Sequence, residues 1–145
     1  MNIKIPSLIA FAVALVGVLY LYDKNFIFSH NPVSITIQIF AVGLMVWARL
    51  TFGMRSFHAA ANATKGKLVT NGPYRWFRHP IYAALIYFFA ASIISFPFIE
   101  TVGAFLLIFI GLFARMLLEE KSLRIAYDDY AAYCKKTKRI IPFIF

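Results

Sequence analysis

Four stretches of the chain, 6–22, 33–50, 80–96 and 99–118, are apolar over the length a helix needs to cross a bilayer. A hydrocarbon core of about 30 Å takes roughly 17–25 helical residues to span. Composition agrees: with 61% hydrophobic and 18% aromatic residues in 145, a soluble fold would lack the polar side chains to cover its surface. The expected fold is all-α and integral to the membrane, one bundle of four transmembrane helices with no separate domain. The first stretch follows Lys4 much as the apolar core of a secretory signal follows its basic segment. Its end, "VLYLYD", offers no small-residue cleavage site, so it reads as a permanent helix.

The basic residues give the orientation. Lys4, the 49–78 segment and everything from Arg115 onward fall on one side of such a bundle, and Lys24 is the only Lys or Arg on the other. That asymmetry places both termini and the long middle connection in the cytoplasm. The formal charge of +9 then follows from topology and attraction to anionic lipid, and no pattern points to a nucleic-acid partner. The single cysteine, Cys134, excludes an internal disulfide and a cysteine-based metal site. His30, His58 and His79 have no ligand spacing between them, so no metal is expected; His30 and His58 are assigned to loops.

Connection lengths restrict the topology further. "DKNFIFSHNP" joins the first two helices, and a short turn around Pro97 joins the last two, which must therefore form an antiparallel hairpin. The middle segment, "TFGMRSFHAAANATKGKLVTNGPYRWFRH", is punctuated by Gly53, Gly66, Gly72 and Pro73 and reads as loop and turn. After Glu119, Leu123, Tyr127, Tyr130 and Cys134 recur at helical spacing, which predicts a C-terminal amphipathic interfacial helix. Lys135, Lys136, Lys138 and Arg139 would lie near headgroups, and Pro142 would end the helix. Gly103 and Gly111, with Ala104 and Ala114, are expected to permit close helix packing.

The hairpin also serves as a ruler. His79 lies about nineteen residues before Phe98, Arg115 about seventeen after it and Glu119 about twenty-one after it, so at 1.5 Å per residue all three sit at similar depth. Pro80 suits the first turn of a helix, whose remaining N–H groups would face the same cytoplasmic pocket and favour an anion there. Arg115 and Glu119, four apart, share a helix face. Carboxylates at a helix C-terminus oppose the dipole, so Glu119 and Glu120 need a continuing helix or a cationic partner. Taken singly, Arg75 and Arg78 read as positive-inside anchors, Tyr74, Trp76 and Tyr82 as an aromatic belt, and the glutamate pair as a solvated face. Arg115 resists that treatment, because an ionisable residue inside a span is a functional candidate by default.

"KLVTNGPYRWFRHPIY", followed about forty residues later by "RMLLEE", then "YDDYAAY" and "RIIPF", resembles the isoprenylcysteine carboxyl methyltransferase and phospholipid methyltransferase superfamily of membrane enzymes. The resemblance covers 53–143 and makes 1–145 a single membrane-embedded methyltransferase-like domain. It implies S-adenosylmethionine as methyl donor, held at the cytoplasmic helix ends by Tyr74, Arg78, His79, Tyr82, Glu119 and Glu120. It further implies Arg115 and Glu119 as the catalytic pair, with Arg115 orienting the acceptor; a guanidinium beside the methyl suits an anionic nucleophile, so a small, hydrophobic or lipid-like acceptor is expected, a carboxylate before a thiolate. Such a ligand carries a carboxylate, an ammonium, ribose hydroxyls and a sulfonium, so anion donors and carboxylates side by side suit it. No Gly-rich strand-turn-helix signature is present, in keeping with a family that does not use the soluble methyltransferase fold.

Two departures bear on the acceptor. Relatives usually carry Phe-Gly-x-x-Tyr after the glutamates where this chain has "YDDY", and a glycine where it has Ala83-Ala84. The rival reading is an NADPH-dependent membrane reductase similar to sterol reductases, which share a His-Pro-x-Tyr element. Ile81, where those enzymes tend to carry asparagine, and Glu119-Glu120 after Arg115 favour transfer. A non-catalytic membrane bundle is the third reading.

Overall fold

The computed structural model describes residues 4–53 and 68–141, so His58, Gly66 and Pro142, to which the sequence assigned loop, turn and stop roles, lie outside the described residues. Helix α1 spans Lys4–Asp23, α2 Pro32–Phe52, α3 Pro80–Ser95, α4 Ile99–Ala126 and α5 Tyr130–Lys136, with a 3-10 turn at Gly72–Arg75. There is no named strand among the described residues, only an isolated bridge between Phe77 and Lys138. By length and composition α1, α2 and α4 qualify as membrane spans, while α3 is a shorter apolar helix of 16 residues.

Local sequence sets the helix limits. Asn31 caps α2 by accepting from the Val33 N–H at 2.9 Å, and Pro32 occupies the first turn, where its missing donor is harmless. Pro80 opens α3 in the same way, and Pro97 lies just past its end. Helix α4 runs to Ala126, beyond the expected end at 118, because "EEKSLR" holds no glycine or proline and Arg124 in the last turn favours the dipole. The C-terminal amphipathic pattern is accordingly divided. Leu123 belongs to α4, Tyr127 is extended at φ −133°, ψ 114°, and Asp129 is the N-cap residue of the seven-residue α5. Helix α5 buries Tyr130 and Tyr133 and exposes Lys135 and Lys136.

The helices alternate in direction. Gly17 of α1 lies against Ala104 and Ile108 of α4, and Gly111 against Ala10 and Ala14, so α1 and α4 run antiparallel along a seam of small residues. A Cβ on Gly111 would overlap the Ala10 carbonyl oxygen, whereas one on Gly103 would meet nothing within 4 Å. The packing role foreseen for Gly103 is thus wrong, since its side of α4 faces outward. Helix α2 lies along α3, with the Gln38 amide near the Phe88 carbonyl at 3.5 Å and Trp47 edge-on to Trp76 at 5.8 Å. The α3/α4 hairpin joins the two pairs, and its core holds Ala83, Ile86, Phe89, Ile108, Leu112 and Met116. At the far end from the termini, Phe26 stacks on Phe96 at 4.7 Å, and the Gln38 and Ser92 side chains donate to the Ile27 carbonyl. Large apolar side chains such as Leu50, Phe40 and Ile99 are exposed around the outside, as a lipid-facing surface requires.

Candidate active site

The site begins with a segment that has almost no repetitive structure. Between the 3-10 turn and α3, residues 76–79 are held by the C-terminal tail: Lys138 N–H donates to the Trp76 carbonyl at 3.2 Å, Arg78 N–H to Lys138 at 2.7 Å and His79 N–H to Arg139 at 3.1 Å. Tyr133 adds a side-chain tie, its hydroxyl donating to the carbonyls of Tyr74 at 2.6 Å and Phe77 at 3.3 Å. The Tyr87 hydroxyl donates to the Ile140 carbonyl and fixes the tail against α3. His79 is the N-cap residue of α3, at φ −130°, ψ 59°, and its side chain makes no capping bond. It turns instead toward α4.

There it meets Glu120. Arg139 grips this carboxylate with two bonds, Nε to Oε1 and Nη2 to Oε2, both at 3.1 Å. Arg78 Nη1 stands 3.5 Å and His79 Nε2 3.4 Å from Oε1. A planar guanidinium meeting a carboxylate at two points is the strongest geometry available to such a pair. Three cationic or potentially cationic groups from two segments therefore converge on one buried carboxylate.

One turn deeper lies the second group. Arg115 is buried, donates from Nε to the Tyr82 hydroxyl at 3.1 Å and lies 5.3 Å from the centre of the Phe11 ring. Glu119 is half-buried and lies within hydrogen-bonding and electrostatic reach of Tyr82. The Tyr82 ring meets His79 edge-on at 5.7 Å, which joins the two groups into one cluster. Tyr74 approaches from the 3-10 turn; burial, with help from the Glu119 charge, holds its hydroxyl above the usual tyrosine range, so it is a neutral donor. Tyr133 is held up in the same way, chiefly by burial.

The depth argument from the hairpin is therefore matched by contacts: Tyr74, Arg78, His79, Tyr82, Arg115, Glu119 and Glu120 all gather at the end of the bundle where α1 begins and the 137–141 tail lies. Sequence reasoning left out Arg139, which it assigned to lipid headgroups, and the two tyrosines, 87 and 133, that tie down the tail. A signal was present, since "RIIPF" stood among the family-like elements, but nothing in its residue types announced a partner for Glu120. Among the described residues no group of three potential metal ligands occurs.

An all-helical bundle of apolar helices with a buried cluster of arginines, carboxylates and tyrosines at one end belongs to the class of integral membrane proteins with a polar functional site at one face. Residues 34–125 match the model of the isoprenylcysteine carboxyl methyltransferase (ICMT) family, more than half of the chain, from the start of α2 to the end of α4. The chain belongs to that family, and its reaction class is membrane methyl transfer. No curated protein and no solved structure matches it.

Proposed function

We propose that the chain transfers a methyl group from S-adenosylmethionine to a hydrophobic or lipid-like acceptor, preferably a carboxylate, at the cytoplasmic face of the membrane. In this reading α3, continued by the 76–79 segment, is the fourth crossing, and the concentration of Lys and Arg at the termini-bearing end sets the orientation. The observation that carries the reading is the Arg115–Tyr82 contact with Glu119 beside it, at the level where α3 begins. These residues fit the donor chemically. A neutral Tyr74 hydroxyl, the Glu119 carboxylate and the buried Arg78 Nε, which has no hydrogen-bond partner among the described residues, offer donors and an acceptor side by side. Glu119 suits an ammonium or ribose hydroxyls, while Arg78, His79 and the start of α3 suit a carboxylate. When bound, the sulfonium supplies an electrophilic methyl group.

The chain's own part is alignment and exclusion of water. Tyr82 fixes the plane of the Arg115 guanidinium through Nε, and the apolar α1 and α4 walls keep the surroundings dry. Arg115 lies between the polar mouth and the lipid, so it holds an anionic acceptor by charge and by a planar fork. A carboxylate nucleophile needs no base, whereas an ammonium acceptor would first have to lose a proton. Glu120 serves as a positioning residue that keeps Arg78 and His79 in place. Isothermal titration of the purified full chain with S-adenosylhomocysteine and, separately, with NADPH tests the reading. Binding of the first, lost in Glu119→Gln, is the expected result, and binding of NADPH alone would overturn it.

A further inference from the structure

A cavity of about 690 Å³ lies on the α1/α4 flank, bordered on one side by the Glu120–Arg139 pair of the cluster just described. Its walls are Ile9 and Val13 from α1 and Ile110, Ala114 and Leu117 from α4, and its rim is Lys121 and Arg124. Ile110, Ala114, Leu117, Lys121 and Arg124 fall at successive spacings of four, three, four and three and form one stripe of the α4 lining. Leu117 is roughly 160° around the helix from Arg115, so this stripe turns away from the Arg115–Glu119 face, while Gly111, Leu118 and Glu120 carry the lining back toward it. The α1 wall lies outside the residues that match the family model, and the α4 wall and rim lie within them.

Its chemistry is amphiphilic in a defined order. The apolar walls begin at the rim and run along α1 from Pro6 to Val13, about 10 Å at the helical rise, which is well short of one leaflet's depth past the headgroups. The polar groups gather at the end of the bundle where the basic residues emerge. Glu120 and Arg139 also border the cavity but neutralise each other. Lys121 and Arg124 are exposed and form no ion pair among the described residues; Arg124 only leans on the Tyr130 ring at 5.8 Å. Two unmatched cations at the mouth of an apolar groove complement one kind of molecule, an anionic head carrying a hydrocarbon chain. The volume lies in the range of small-ligand sites.

We infer that this groove binds one anionic glycerophospholipid of the surrounding bilayer, its chain between α1 and α4 and its phosphate at Lys121 and Arg124. The lipid buttresses the α1/α4 seam from the side that Gly111 leaves thin. The inference requires only that the chain is membrane-embedded, and it does not depend on methyl transfer.

Native mass spectrometry of the full chain, released from detergent after exposure to phosphatidylglycerol or to phosphatidylcholine of the same acyl chains, tests it. The wild-type chain should retain phosphatidylglycerol preferentially. The double variant Lys121→Ala/Arg124→Ala should lower that preference roughly ten- to thirtyfold, the order expected for two cations at an anionic surface. Ala114→Trp, which fills the groove, should weaken retention of both lipids. Because Lys121 and Arg124 are exposed, the double variant folds even if the tryptophan variant does not. An unchanged preference in the double variant would overturn the inference. So would a stable dimer that crosslinks through Ile9 and Ile110 and retains no lipid. Cofactor binding is measured apart, so either proposal fails without the other.

Discussion

Removing the Glu120 carboxylate should cost far more than removing any one of its partners. In Glu120→Ala, the Arg78, His79 and Arg139 side chains, exposed by 10%, 3% and 27%, lose the carboxylate that they share. Breaking a buried pair by deleting one member typically costs about 3–5 kcal/mol, since the survivor stays desolvated. Three survivors push toward the upper end, while the ability of histidine to stay neutral pulls back, so about 4 kcal/mol is a fair central value. Arg139→Ala is different. It removes two bonds of 3.1 Å, but Glu120 keeps Arg78 and His79, and the lost group was partly hydrated. Its cost should be about 1–2 kcal/mol.

At about 2–4 °C per kcal/mol for a chain of this size, Glu120→Ala should melt roughly 10 °C lower in detergent and Arg139→Ala only a few degrees lower. Tryptophan fluorescence is the natural probe. Trp76 accepts the Lys138 N–H and touches Trp47, and these are the only two tryptophans. Limited trypsin digestion supplies a second readout, because Arg139→Ala should loosen the backbone around the exposed Lys135, Lys136 and Lys138 and speed cleavage there while α1 to α4 stay intact. Equal melting of the two variants, or a Glu120→Ala variant within 2 °C of wild type, would show that the carboxylate is not the hub that holds the tail.

Gly111→Leu should prevent stable α1/α4 packing, because even its Cβ overlaps the Ala10 carbonyl, while Gly103→Leu should leave thermal stability unchanged; yields of monodisperse protein on gel filtration compare them. Tyr133 has its hydroxyl raised above the ordinary 10.0 by burial, so the folded state keeps the proton that the unfolded state loses. Its contribution is complete below pH 10.0 and falls as pH rises above that value, so a melting curve taken at rising pH should decline more steeply for wild type than for Tyr133→Phe. The same variant should lose about 1–3 kcal/mol at neutral pH, because the Tyr74 carbonyl is left without its 2.6 Å donor. Arg115→Lys keeps the charge but loses the planar fork and the Nε bond to Tyr82; S-adenosylhomocysteine affinity should hold while turnover falls ~10-fold or more, and loss of cofactor binding together with activity would move Arg115 to the donor side.

Much of this was legible from the chain because lengths and rises are rigid quantities. A short turn at Pro97 forces the hairpin, and the helical rise then brings His79, Arg115 and Glu119 to one level without any knowledge of packing. Facing is a different matter. Glu119 and Glu120 are neighbours in sequence but about 100° apart around α4, so one reaches Tyr82 and the other Arg139, and only the packed helix decides which. Gly103 and Gly111 differ for the same reason. The tail was least legible of all, since its three backbone bonds to residues 76–79 are indifferent to side-chain type. Apolarity marks only the spanning part of α4, and the polar "EEKSLR" continues the helix beyond it without a break.

The division of labour between the two glutamates also explains why the cluster needs a C-terminal tail. In apolar surroundings, cations that are to meet a ligand's carboxylate cannot remain buried without a counter-charge of their own. Glu120 supplies that charge to Arg78 and His79, and Arg139 closes the remaining side of the carboxylate, so Glu120 has little left to offer a ligand. Glu119, one residue earlier and unclaimed by any of these cations, is then the carboxylate turned toward Tyr82 and Arg115. On this reasoning Glu119→Gln should abolish cofactor affinity with a small change in melting temperature, and Glu120→Gln should do the reverse in degree, lowering stability first and affinity only as the 76–79 segment loosens. Calorimetric titration and thermal melting of the two variants side by side decide it, and equal loss of affinity at unchanged stability would return Glu120 to the ligand.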